Sequence, residues 1–138
     1  MSFNQSDYEI EVDAEKNRVF LTQYGMYDDE TATAMLDELD RKTGALPEGF
    51  DLVNDIREFK PLEQQKTKYI EPGKEIVAEN GVGALVRIVD SAITAMQFER
   101  VGDGDEAYHV ATAETPREAE RMLDRLRAEQ NADVRSDE

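Results

Sequence analysis

Over residues 8–12 apolar and polar positions alternate, Tyr8, Ile10 and Val12 interleaving with Glu9 and Glu11, which is the period of a half-buried strand. The polar stretch 13–17 turns the chain into 18–24, where Val19, Phe20 and Leu21 make a second strand, so the two predict a hairpin. Gly25 ends it, and the period then lengthens. Ala32, Met35, Leu36 and Leu39 recur at i, i+3, i+4 and i+7 and predict a helix. Asp28 or Asp29 caps that helix, Lys42 sits in its last turn, and Gly44 stops it. Past Pro47 and Gly49, the stretch 50–56 with Leu52 and Val53 reads as a short, buried central strand. Pro61 suits the first turn of a second helix, whose face holds Leu62, Tyr69, Ile70, Ile76 and Val77. Pro72-Gly73 interrupts that face, giving either a kink or two shorter helices.

Val82, between Gly81 and Gly83, leads into 84–89, the most strand-like run of the chain. Asp90 or Ser91 caps a helix with Ile93, Ala95, Met96 and Phe98; 102–105 is a turn, and 108–111 a short strand. Thr115-Pro116-Arg117-Glu118 is a capping box with proline at the first helical position, and Ala119, Met122, Leu123 and Leu126 form the buried face of the helix it opens. From about residue 129 the chain is polar and expected to fray. The order β-β-α-β-α-β-α-β-α predicts an α/β fold with a mixed four- or five-stranded sheet and helices mainly on one face. Its later part should be parallel with right-handed crossovers, strand 50–56 beside strand 84–89. With no repeat and no linker, 1–138 reads as one domain, with an ordered core over about 8–127 and a polar tail over 129–138.

Composition narrows the chemistry. The absence of cysteine rules out disulfides, thiolate ligands and cysteine nucleophiles. No apolar run approaches the ~20 residues of a membrane-spanning helix. The opening MSFNQSDYEI lacks the basic start and apolar core of a signal peptide, so a cytoplasmic protein is expected. Charge is the dominant feature: 32 acidic against 16 basic residues, a net charge of −16. The periodic apolar segments argue against an acidic disordered chain, and the even spread of acids argues against a nucleic-acid mimic. Dense carboxylates, and ten arginines to six lysines, fit a protein that works in concentrated salt. The same charge disfavours nucleic acid and anionic membranes as partners, since phosphates need a basic face.

No catalytic constellation is apparent. His109, the one histidine, stands on a predicted strand with no partner that would make it a general base. One histidine without cysteine cannot build a zinc site, and Asp103, Asp105 and Glu106 do not continue as a calcium loop. Asp28, Asp29 and Glu30 are the ordinary response of a first helical turn to its dipole. Gly81-Val82-Gly83-Ala84 precedes a strand and lacks the lysine and hydroxyl of a phosphate loop. No catalytic residue, metal or cofactor is therefore expected. The one candidate binding segment is 55–61: Asp55, Arg57, Phe59 and Lys60 leave the carboxyl end of the central strand, where ligands of α/β sheets collect. The alternative is that Arg57 and Lys60 only neutralise neighbouring acids while Phe59 tucks under the helix.

In Leu52-Val53-Asn54-Asp55-Ile56-Arg57, Ala84-Leu85-Val86-Arg87-Ile88-Val89 and Tyr108-His109-Val110-Ala111-Thr112 followed by Thr115-Pro116-Arg117-Glu118-Ala119-Glu120, the order of elements resembles the STAS domain (sulphate transporter and anti-sigma-factor antagonist), in its divergent SpoIIAA-like branch. The resemblance spans about residues 8–127 and implies a non-enzymatic regulatory or protein-interaction module. STAS-like domains often pair, which makes a homodimer through Ile93, Met96 and Phe98 of the 91–100 helix an expectation. The phospho-switched members carry Asp-Ser-Ser-Gly at the start of the second helix. Here Glu63-Gln64-Gln65-Lys66 stands in that place, and no serine occurs between Ser6 and Ser91. A switch by serine phosphorylation there is thus not expected. The competing readings are a binder of a small apolar, lipid-like ligand near Tyr69, Met96 and Phe98, and, last, an enzyme using scattered carboxylates.

Stability is predicted to rise with salt. Between 0.01 M and 1 M potassium chloride the Debye length falls from about 30 Å to about 3 Å, removing most repulsion among surface carboxylates. Favourable surface ion pairs are screened too, but each contributes only about 0–1 kcal/mol. Thermal melts across this range should show a climbing Tm; a flat or falling Tm would remove the high-salt reading.

Overall fold

A computed structural model of the chain describes residues 7–25, 28–59, 70–90 and 108–136. The hairpin strands are β1 (Asp7–Asp13) and β2 (Arg18–Gly25), followed by α1 (Asp29–Gly44), β3 (Asp51–Phe59), α2 (Glu71–Glu79), β4 (Ala84–Ile88), β5 (His109–Ala113) and α3 (Pro116–Ser136). The sheet has five strands in the order β1-β2-β3-β4-β5. β1 is antiparallel to β2 and every later pair is parallel, with Asp51 to Asp55 of β3 matched to Ala84 to Ile88 of β4. The mixed sheet and its central parallel pair are as the sequence predicts.

Local chemistry explains the boundaries. In the hairpin turn the Asp13 carboxylate accepts from the amides of Glu15 (3.1 Å) and Lys16 (3.2 Å), and Asn17 takes the left-handed conformation (φ 55) that asparagine tolerates. Of the two candidate caps of α1, Asp28 is the one used, accepting the Thr31 amide at 2.7 Å. That hydrogen bond lowers the Asp28 pKa. The cap therefore contributes at neutral pH and weakens as pH falls through the lowered value. Pro72 lies in the first turn of the described helix α2, where its missing N–H is not needed, and Ile70 before it already has helical dihedrals (φ −72, ψ −45); the stretch on which the expected kink or division turns lies outside the described residues. At α3, Thr115 Oγ1 accepts from the Glu118 amide (3.1 Å), and the Glu118 carboxylate reaches back to the Glu114 amide (3.3 Å). Past residue 129, from which fraying is expected, α3 continues to Ser136, with no glycine or proline after Leu126 to break it. The helices expected from Pro61 and over 91–100, and the turn at 102–105, lie outside the described residues.

Two cores result. On one face Ile10, Val19, Leu21, Leu52 and Leu85 pack against Ala32, Met35 and Leu39 of α1 and Val77 of α2. On the other, Val53, Ala84, Val86, Ile88 and Ala113 pack against Ala119 and Leu123 of α3. Two of the three described helices thus share a face, and α3 alone covers the other. β4 is buried at every position, the ordinary state of an inner parallel strand.

The α3 side is held by charge as well as by apolar contact. Arg18 and Asp51 open β2 and β3, face each other in register, and are 2% and 0% exposed. Arg18 Nε donates to Asp51 Oδ2 (2.9 Å) and Nη2 to Asp124 Oδ1 (3.0 Å), while Nη1 lies 3.5 Å from Glu120 Oε1. Arg127 Nη2 donates to the other Asp51 oxygen (2.5 Å) and to the Gly49 carbonyl. Burial alone would lower the Arg18 pKa, but the hydrogen bonds to Asp51 and Asp124 outweigh it and raise the value, so the group stays cationic. The loops beneath approach closely: a Cβ on Gly83 would meet the Gly49 carbonyl oxygen at 2.9 Å.

Replacing Asp51 by Asn takes from Arg18 and Arg127 the one fully buried carboxylate of the cluster and should cost about 3–5 kcal/mol. Arg18→Met combined with Asp51→Leu should be less destabilised than Asp51→Asn alone, since no buried charge is then stranded between the strands. Urea unfolding monitored by circular dichroism reads both, and a loss under about 1 kcal/mol for Asp51→Asn would mean that the pair behaves as a surface ion pair.

Candidate functional site

Because β2 to β5 are parallel, their carboxyl ends, Gly25, Phe59, Ile88 and Ala113, lie on one edge of the sheet. The helices α1 and α3 begin just beyond β2 and β5, so their amino ends open at this edge as well. Ligands of open α/β sheets collect there. Among the predicted site residues, Asp55 and Arg57 come together here.

The segment does not leave the strand at Ile56. β3 continues to Phe59, which pairs with Gly25 of β2. Between the pairs Thr22↔Asp55 and Tyr24↔Glu58, β3 spends three residues where β2 spends two, so β3 carries the extra residue of a β-bulge. The bulge shifts the alternation and lets Ile56 and Phe59, three apart, both enter the core shared with α1. Phe59 is therefore a buried core side chain, and its expected role as a contact residue is corrected on that ground. Lys60 lies outside the described residues, as do Tyr69, Ile93, Met96 and Phe98.

At the bulge, the Asp55 carboxylate accepts the Arg57 amide (3.2 Å) and grips its guanidinium by two bonds, Nε to Oδ1 (3.0 Å) and Nη2 to Oδ2 (2.7 Å). The hydrogen bond to Asp55 raises the Arg57 pKa above its ordinary value. Asp55 is mostly covered, while the Arg57 side chain is 38% exposed. A rigid cation is thus presented at the edge with one side of its planar fork turned away from Asp55. Such a group can orient a carboxylate, phosphate or carbonyl bidentately; it supplies no nucleophile or general base.

Sequence reasoning missed two polar groups. One is the Arg18–Asp51–Arg127 cluster. The other is a row on the α1 face, where Asn54 Nδ2 donates to the Leu21 carbonyl (3.1 Å) and to Gln23 Oε1 (2.8 Å), with buried Arg87 next to Asn54 across the sheet. The available signal was a polar residue inside an apolar run: Asn54 after Leu52-Val53, and Arg87 within Leu85-Val86-Arg87-Ile88. His109 is exposed on β5. Among the described residues no group of three or more histidine, aspartate or glutamate side chains is placed to hold a metal ion, and no helix is long and apolar enough to cross a membrane.

No protein-family model and no curated protein sequence matches the chain. Solved structures do. An uncharacterised protein of the DUF3478 family from Shewanella loihica PV-4, described as having a SpoIIAA-like fold, superposes with a TM-score of 0.67 over 89% of this chain and 98% of its own, at 15% identity. The chain has the SpoIIAA-like fold. Apo-SiaC from Pseudomonas aeruginosa shares it, with a TM-score of 0.53, 18% identity and coverage of 81% of this chain and 94% of its own. A further structure holds the diguanylate cyclase SiaD with its activator SiaC, also from Pseudomonas aeruginosa; that match has a TM-score of 0.51 at 16% identity, over 80% of this chain and 93% of the other. In SpoIIAA-like terms the hairpin, the central β3, the β4 strand and the capped closing helix all stand where the STAS resemblance puts them. Asp55 lies four residues inside β3 and not at its end.

Proposed function

We propose that this protein is a non-enzymatic cytoplasmic regulator that acts by binding a partner protein, with Asp55 and Arg57 at the carboxyl edge of the sheet, and Lys60, three residues on in the sequence from Arg57, as part of the contact. The observation that carries the reading is the fold shared with SiaC, an activator found in complex with the enzyme it regulates. The preset Arg57 fork supports it, since a cation held rigid by its own carboxylate loses little freedom on contact. The reading needs no serine switch: Glu63-Gln64-Gln65-Lys66 occupies that place in the sequence. The acid-rich surface suits a cell interior of high salt, with repulsion between carboxylates screened there.

The test is affinity capture with the tagged chain from lysate of its own organism at native salt, paired with mass spectrometry of lipids extracted from the purified protein. A stoichiometric protein partner is expected, bound at least about tenfold more weakly by Arg57→Ala, a loss of about 1.4 kcal/mol. The variant leaves the mostly covered Asp55 carboxylate without its guanidinium, so a modest fall in Tm is expected and binding is compared at temperatures where both proteins are folded. A stoichiometric apolar ligand with no protein partner would sink the regulatory reading in favour of lipid binding.

A further inference from the structure

Helix α3 carries charge on two sides with opposite fates. Glu120 and Asp124, four residues apart, face β2 and are taken up by Lys16 and Arg18. Arg117, Arg121 and Arg125 repeat with the same spacing on another side of the helix, so they form one stripe. All three are exposed, and none makes an ion pair among the described residues. On a chain with twice as many acidic as basic residues, three arginines in a row, before Glu129 follows at the same spacing, make a local basic strip.

The stripe ends at a groove of about 290 Å³ between α3 and the β4–β5 edge. Val86 and Ala111 floor it, Met122 and Leu126 wall it, and Arg125 and Glu129 stand on its rim. The adjoining strand is unusual here. β5 reads His-Val-Ala-Thr-Ala, the one described strand without Asp, Glu, Lys or Arg. Among the described residues it pairs with β4 alone and no strand lies on its other side. Val110 on it is 36% exposed. The opposite edge, β1, carries Asp7, Glu9, Glu11 and Asp13, the charged residues with which proteins block strand addition. Among the described residues one edge is guarded by charge and the other is not.

We propose that the β5 edge, the groove and the arginine stripe form one docking surface for an extended, acidic segment of a partner protein with apolar anchors. The segment adds to β5 through backbone hydrogen bonds. Its apolar side chains enter between Met122 and Leu126, and its carboxylates meet Arg125 and Arg121. The inference rests on the partner-binding reading above and assigns that partner a chemistry. It also carries a kinetic signature. At −16 the protein repels an acidic segment at long range, so association should speed up as salt shortens the Debye length from about 10 Å at 0.1 M to about 3 Å at 1 M, the reverse of ordinary electrostatic steering.

A random-peptide display library is selected on the full chain in 1 M potassium chloride, with counter-selection on the double variant Arg121→Glu/Arg125→Glu. Both substituted positions are exposed, so the variant should keep the wild-type Tm. Enriched peptides should be rich in Asp and Glu around apolar residues. A synthetic copy of the leading peptide should bind the wild type at least tenfold more tightly than the variant, associate faster at 1 M than at 0.1 M salt, and protect β5 amides from hydrogen exchange. No enrichment, basic peptides, equal binding to the variant, or protection away from β5 overturns the proposal. The captured partner separates the two readings: if Arg57→Ala weakens it and the double reversal does not, this surface falls and the regulatory module stands. If no protein partner is captured at all, the module reading falls with it.

Discussion

A carboxylate with no exposure, divided between two guanidiniums, governs how this molecule is put together. Asp51 cannot be desolvated alone, and each of its oxygens is taken by an arginine from a different element, β2 and α3. Because Arg18 and Asp51 are also the first residues of neighbouring parallel strands, the pair fixes register: a slip of one residue would carry one charge to the apolar face shared with α1. Arg127 and Asp124 then fix how α3 lies, with one flank drawn down over β2 and β3. What remains on its far side, the groove and the arginine stripe, is a consequence of that placement.

The other end of β3 shows how one strand serves both stability and presentation. A single extra residue lets Phe59 rejoin the core and leaves Arg57 at the surface beside Asp55. Asp55 also accepts the Arg57 amide where the ladder is irregular, so the carboxylate that aims the guanidinium also serves the backbone. The result is a fixed cation at the carboxyl edge of a SpoIIAA-like sheet.

The hairpin, α1 and the capped start of α3 were legible because each is signalled locally, by alternation, helical spacing or a capping box. The Arg18–Asp51–Arg127 cluster was not. Its members are 33 and 76 residues apart, and on a chain so rich in charge nothing marks these three as buried. The true length of β3 was hidden for a related reason, as Arg57-Glu58 looks like the polar start of a loop until β2 is seen pairing with it. At the candidate site the sequence found Asp55 and Arg57 but could not show that they bind each other, and it left Phe59 open between contact residue and core because the strand that carries it inward was read as ending at residue 56.

The order β1-β2-β3-β4-β5 means that each strand lies beside the one made just before it. As the chain leaves the ribosome, every new strand finds its neighbour already present, and the sheet can grow without waiting for distant sequence. Closure alone is non-local: α3 must return across 106 residues to reach Arg18. Until it does, the Arg18–Asp51 pair and the apolar surface of Val53, Val86 and Ile88 lack the helix that covers them. The step that dries the sheet's second face therefore waits for α3, and a chain interrupted before it would keep its strands in order while leaving that face wet.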